Sequence, residues 1–202
     1  MPCGRTTRGS VNTNMKFEMV FDLMCGDCAN EYPTIKEFLA MDFLGTTVKD
    51  AITLTYTYSP LPYHHGVWIP HKMVPYILDQ CLEDESACLF EEYQQYAIDN
   101  QQFMLNAKDQ SQDELIPAWV DMVTQALGIE DQKDAIMLEY DRDTEEHDTE
   151  NRMRLSFKYA LSKGVTTTPT VFVNEVMLGE IPETAEEWYT LLENTYNSQL
   201  SF

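Results

Sequence analysis

Cys25 and Cys28 stand three residues apart, after an apolar run and before a helical one. The pair reads Cys25-Gly26-Asp27-Cys28. At a strand-to-helix junction this spacing has a specific use. The first sulfur sits at the helix N-terminus, where the dipole and the unpaired N–H groups favour a thiolate. The second lies one turn along on the same face, placed to attack a mixed disulfide formed by the first. Cys25 is then the nucleophile and Cys28 the resolving thiol. A zinc site needs four ligands, and this pair supplies two. The remaining candidates, Cys3, Cys81, Cys88 and four histidines, show no finger-like spacing, so no metal is expected. The plain alternative is two core thiols without chemistry.

Other residues fall where they would tune or serve such a pair. Gly26 and Asp27 lie between the thiols. An acid beside a thiolate raises its pKa and opposes the helix dipole, so Asp27 predicts a mild, reducing couple. Asp22, three residues before Cys25, either relays a proton to Cys28 or points to solvent at the end of its strand; the solvent position is the expectation. His64 and His65 follow the next strand and so fall near the thiol edge. Either can stabilise a thiolate there, or both are ordinary surface residues. His71 and His147 carry no signal. In "GVTTTPTVFV" (164–173) Pro169 directly precedes an apolar strand. A cis Thr168–Pro169 bond would leave the Thr168 backbone open to pair with a substrate strand. A trans proline at a strand start is the ordinary alternative.

Three segments must position these residues. Residues 16–66 read strand, helix, strand: Lys16–Met24 is β-compatible, Cys28, Tyr32, Ile35 and Leu39 form a helical stripe, and Ala51–Tyr58 alternates. A right-handed crossover makes these two strands parallel. Residues 67–147 read as helices, which Pro75 and Pro117 should start or kink. An acidic connector, 139–150, follows. Residues 148–202 read helix, hairpin, helix. Gly164 stops the first helix, Asn174-Glu175 makes the turn, and Thr184 with Glu187 forms a capping-box pattern. Its first hairpin strand can run antiparallel to the strand ending at Cys25, bringing Pro169 to the thiol edge. Residues 1–15 read as a flexible tail. Cys81 and Cys88 would lie about 10.5 Å apart on a continuous helix, too far for a disulfide. Two separate thiols are therefore expected, unless the intervening residues turn.

Three motifs together resemble the thioredoxin-like superfamily: Cys25-Gly26-Asp27-Cys28 after a strand, Pro33 in the following helix, and Thr168-Pro169 before the hairpin. The helical block after the second strand resembles the DsbA-like branch in particular. The resemblance covers the layout of residues 16–198 and is specific at those three motifs. It implies an α/β fold, a thioredoxin-like mixed sheet with an inserted helical domain. It also implies a thiol–disulfide oxidoreductase that exchanges disulfides with protein or peptide substrates through Cys25 and Cys28. Thr168 and Pro169 would border the substrate groove, and no cofactor is implied beyond the Cys25–Cys28 disulfide. The chain departs from the pattern at two places. Met19 holds the position, six before the first cysteine, where many relatives carry a buried acid. Asp27 stands where strongly oxidising relatives carry histidine.

Thirteen basic against 34 acidic residues give a net charge of −21. Most of this surface repels a phosphate backbone or an anionic bilayer, so neither nucleic acid nor a membrane surface is an expected partner. No window reaches the ~18 apolar residues of a membrane span. The polar residues before Phe17 lack the apolar core of a secretory leader, so none is expected there. The rival reading from another class keeps the fold as a redox-inactive binding or assembly subunit of a larger complex.

Overall fold

The computed structural model describes residues 4–9, 13–141 and 149–200. Strand β1 (Gly4–Arg8) and β2 (Lys16–Phe21) lead to helix α1 (Gly26–Ala40). A small hairpin, β3 (Asp42–Phe43) and β4 (Thr46–Thr47), and one helical turn, α2 (Val48–Ala51), precede β5 (Thr53–Tyr58). The helical block then holds α3 (Trp68–Glu83), α4 (Phe90–Asp99), α5 (Gln101–Asn106), α6 (Gln112–Leu127) and α7 (Lys133–Leu138). Helix α8 (Thr149–Ser162), strands β6 (Thr170–Val173) and β7 (Val176–Met177), and helix α9 (Ala185–Leu200) complete the order. His147, Cys3 and residues 142–148 of the acidic connector lie outside the described residues.

Alternation along the strands decides how the layers form. Phe17, Met19 and Phe21 point to one face, with Leu54, Tyr56 and Tyr58 of β5 and Val171 and Val173 of β6. Val20 and Phe172 point to the other, against Ala160 and Val165. The period of two therefore gives the sheet two buried faces. Helices α1 and α9 cover the first, with Phe38 stacked on Trp188 at 5.6 Å; α8 covers the second. Glu18, between Phe17 and Met19, turns to the α8 side and pairs with Lys163. The strand order is β1-β5-β2-β6-β7. β2 runs parallel to β5 and antiparallel to β6, with Val20 opposite Thr170. The end of β2 and the start of β6 thus meet at one edge. At the far end of the hairpin, Asn174 and Glu175 have φ of 48° and 71°, the left-handed pair of a two-residue turn.

Several expectations are corrected. Residues 4–8 are a strand rather than a flexible tail, pairing antiparallel with β5. β-branched threonines suit the position: the Thr6 and Thr55 hydroxyls meet at 2.9 Å, and the Arg5 guanidinium lies over Phe90 and pairs with Glu85. Of the two places expected for Pro75 and Pro117, a helix start or a kink position within one, both take the second, inside α3 and α6. α6 begins instead at a capping box, where the Glu114 carboxylate accepts from the Ser111 N–H at 2.9 Å. Cys81 and Cys88 form a disulfide. Helix α3 ends at Glu83, and a 3-10 turn over Glu85–Ala87 folds the chain back, so their Cα atoms lie 4.3 Å apart. Arg5 contacts both sulfurs.

Closing this short loop constrains the unfolded chain by about 2 kcal/mol. The double variant Cys81→Ser/Cys88→Ser is expected to melt roughly 5 °C lower. A calorimetric scan checks this; an unchanged midpoint would show that the bridge adds no net stability.

Candidate active site

β2 ends at Phe21 and α1 begins at Gly26, so the four residues between them build the site. Cys25 is the N-cap of α1, extended at φ −82° and ψ 125°. That geometry turns its sulfur toward the first N–H groups of the helix, those of Asp27 and Cys28. The Cys25 thiol also lies 3.3 Å from the Thr168 carbonyl oxygen, which accepts its S–H. The Thr168–Pro169 peptide is cis. The Thr168 hydroxyl is buried and has no partner in hydrogen-bond geometry among the described residues. It lies near both sulfurs and favours the charged form of each.

These donors act unequally on the two thiols. The Cys28 S–H beside Cys25 is the largest influence holding the Cys25 pKa down, from 9.0 to about 6, against the burial that raises it. Cys28 is pushed the other way, above 9.0, chiefly by burial and then by Cys25 itself. Cys25 keeps 6% of its surface exposed and Cys28 none. One reachable, acidic thiol thus stands in front of one buried, weakly acidic thiol. Asp27 acts against the expectation from its charge. Its backbone N–H lowers the Cys25 pKa, while its exposed carboxylate is not among the main influences raising it. Gly26 has open space where a Cβ would stand, so packing does not demand glycine there.

Asp22 does not point to solvent: it is fully buried. Its Oδ1 accepts from the Met24 N–H at 2.8 Å; its Oδ2 accepts from the Leu61 N–H at 2.9 Å and from His64 Nδ1 at 2.6 Å. The chain turns back over the strand end after β5, and this return supplies the second and third donors. Cys28 is reached by the backbone N–H of Asp22, while the carboxylate is committed to these three groups. His64 therefore joins the site, and bonding to Asp22 raises its pKa above 6.5. His65 does not join it: its Nε2 meets the Ala107 carbonyl at 3.1 Å, in the helical block.

Three site residues were not found by sequence reasoning. His71, fully buried on α3, accepts the Leu23 N–H on Nε2 at 3.1 Å, and its Nδ1 lies 2.7 Å from the Val67 carbonyl oxygen. An amide can only donate and a carbonyl only accept, so the proton is on Nδ1 and the ring is neutral. Burial lowers its pKa, in the same sense. Gln101, at the start of α5, donates to the Leu23 and Cys25 carbonyls, each at 2.9 Å. The helical block thus fixes the loop that carries the thiols. Tyr63 is 71% exposed and sets its ring against His64, centroids 4.7 Å apart. Neither His71, followed directly by Lys72 in α3, nor Gln101, one of two adjacent glutamines, carried a signal in the sequence. Among the described residues, no group of three or more His, Cys, Asp or Glu could hold a metal ion, and no helix is long and apolar enough to cross a membrane.

No family model and no curated protein matches the chain. Solved structures do. A thioredoxin-like oxidoreductase from Silicibacter pomeroyi DSS-3 is similar at TM-score 0.61 and 12% identity, over 96% of this chain and 94% of its own. The oxidoreductase NmDsbA1 from N. meningitidis gives 0.59 and 13%, over 100% and 95%. The thiol-disulfide exchange protein alpha-DsbA2 from Wolbachia pipientis gives 0.58 and 15%, over 95% and 85%. At these identities the likeness speaks to the backbone, and with the strand order and the block between β5 and α8 it shows that the chain has the DsbA-like thioredoxin fold, a mixed sheet with an inserted helical domain.

Proposed function

We propose that the chain is a thiol–disulfide oxidoreductase acting on protein or peptide substrates. One observation carries this reading: an acidic thiol at a helix N-cap backed by a buried thiol of raised pKa. The Cys25 thiolate attacks a substrate disulfide, forming one S–S bond and releasing one substrate thiolate. Cys28 loses its proton and attacks the Cys25 sulfur. The Cys25–Cys28 disulfide forms and the second substrate thiol departs. Two electrons pass to the substrate; the proton lost by Cys28 goes to one substrate sulfur and solvent supplies the other, and the reverse sequence oxidises a dithiol. Thr168 and Pro169, beside the nucleophile, hold the substrate chain. The cysteine pair is the only redox group required.

A pKa of about 6 lies well above the ~3.5 of DsbA, which supports a mild couple. Direction then depends on the couple's potential against its surroundings.

The test is trapping. Cys28→Ser keeps a hydroxyl donor beside Cys25 and removes the resolving sulfur. It should accumulate mixed disulfides through Cys25 that dithiothreitol releases, and the unsubstituted protein should reduce insulin. If nothing is trapped and insulin stays intact, the fold serves binding alone.

A further inference from the structure

The buried Asp22 carboxylate needs a cation, and among the described residues one candidate remains. His71 lies 3.6 Å from Asp22 Oδ1, yet both its nitrogens are committed as a neutral ring. The other two donors to Asp22 are backbone amides. His64 is therefore the charged partner, at 2.6 Å through Nδ1. Its Nε2 has no hydrogen-bond partner among the described residues, and 18% of its side chain is open to solvent. The charged and titratable groups around it are Asp22 from the end of β2, His71 from α3, Cys25 from the N-cap of α1, and the neighbouring Tyr63, which itself feels Asp27 and Cys28.

We propose that His64 is the proton donor of the exchange: held as an imidazolium by buried Asp22 at the rim of the thiol site, it protonates the thiolate that leaves when Cys25 attacks a disulfide. This rests on the thiol-exchange reading above. The step balances. The Cys25 thiolate and the disulfide R–S–S–R′ form Cys25–S–S–R, the R′ thiolate takes the Nε2 proton, and His64 becomes neutral until solvent reprotonates it. The covalent step itself favours the transfer. The Cys25 charge helps to keep His64 protonated, and that charge disappears as the mixed disulfide forms. The imidazolium then gives up its proton more readily at the moment a basic thiolate departs.

Leaving-group chemistry tests this. In Cys28→Ser protein, mixed-disulfide formation is timed with bis(2-hydroxyethyl) disulfide, whose thiolate is basic, and with 4,4′-dipyridyl disulfide, whose leaving group needs no proton. Adding His64→Asn keeps an N–H donor at the Nδ1 position for Asp22 and removes the transferable proton. The aliphatic reaction should slow by about a hundredfold, the low end of general-acid effects, and the dipyridyl reaction by less than about threefold. Equal slowing of both, or of neither, overturns the proposal, because a charge-stabilising or structural role does not distinguish leaving groups. In protein with His64 intact, the aliphatic rate should fall again above the His64 pKa while the dipyridyl rate stays level. The absence of that descending limb overturns the proposal even if the asparagine variant folds poorly. If Cys28→Ser protein reacts with neither disulfide, the exchange reading itself fails.

Discussion

Iodoacetamide added to the reduced protein is expected to label Cys25 and spare Cys28, with a rate that follows one ionisation near pH 6. With a pKa of about 6 in place of 9.0, roughly 90% of Cys25 is thiolate at pH 7 against about 1% of an ordinary thiol. The gain in rate is much smaller than this ratio. A less basic thiolate is a poorer nucleophile, and with a Brønsted slope of about 0.45 the shift costs roughly twentyfold. The net advantage at pH 7 is then about fourfold, too little to identify the site by rate alone. The pH profile is decisive. It should be flat above about pH 7.5 and fall tenfold per unit below about pH 5. Cys28 stays silent because it is fully buried and its pKa is raised. A profile still climbing between pH 8 and 9 would mean that the helix N-terminus and the Cys28 S–H do not hold a thiolate. The same shift is a stability statement for the dithiol form. The folded pKa lies below the unfolded one, so the contribution is complete above pH 9 and is lost as pH falls through 6.

Local grammar made most of the fold legible. Phe17, Met19 and Phe21 alternate, Cys28, Tyr32, Ile35 and Leu39 keep helical spacing, and Asn174-Glu175 breaks an apolar run; each pattern reports its own element. What escaped depends on chain segments distant in sequence. Asp22 reads as a solvent-facing strand end until Leu61 and His64 fold back over it. His71 and Gln101 matter because the helical block docks on the loop bearing the thiols, and nothing in their neighbours' types announces that docking. The Cys81–Cys88 bridge was obscured by treating the spacing as one continuous helix, when the chain turns after Glu83. Asp27 misled for another reason. Its type suggested a repelling charge, but the backbone places its N–H toward Cys25 and leaves its carboxylate exposed. Main-chain direction at a helix N-terminus here outweighs side-chain charge.

Asp22→Ala is expected to be the most destabilising single change at the site. It leaves the Met24 and Leu61 amides without acceptors and His64 without its counter-charge. Each orphaned buried donor costs about 1–3 kcal/mol, and removing one partner of a buried pair costs about 3–5 kcal/mol. The two routes describe the same lost contacts, so they are not added; about 4 kcal/mol is expected, and less if a water fills the space. The loss should depend on pH with a definite sign. The folded pKa of His64 lies above its unfolded 6.5, so its pairing contributes fully below pH 6.5 and fades as pH rises through the folded value. Urea melts at pH 5.5 and pH 8.5 should therefore show a larger deficit for Asp22→Ala at the lower pH. His71 opposes this in the unsubstituted protein, because its folded pKa is lowered and stability falls as pH drops below 6.5. Asp22 partly offsets that fall, since its charge pulls the His71 pKa upward. Removing the carboxylate withdraws support from both rings, so the two effects reinforce one another in the variant. Asp22→Asn restores one acceptor for the amides but not the charge. It should recover part of the stability and none of the extra loss at low pH. A deficit equal at both pH values would show that Asp22 acts as a hydrogen-bond acceptor alone and that His64 is not its cation.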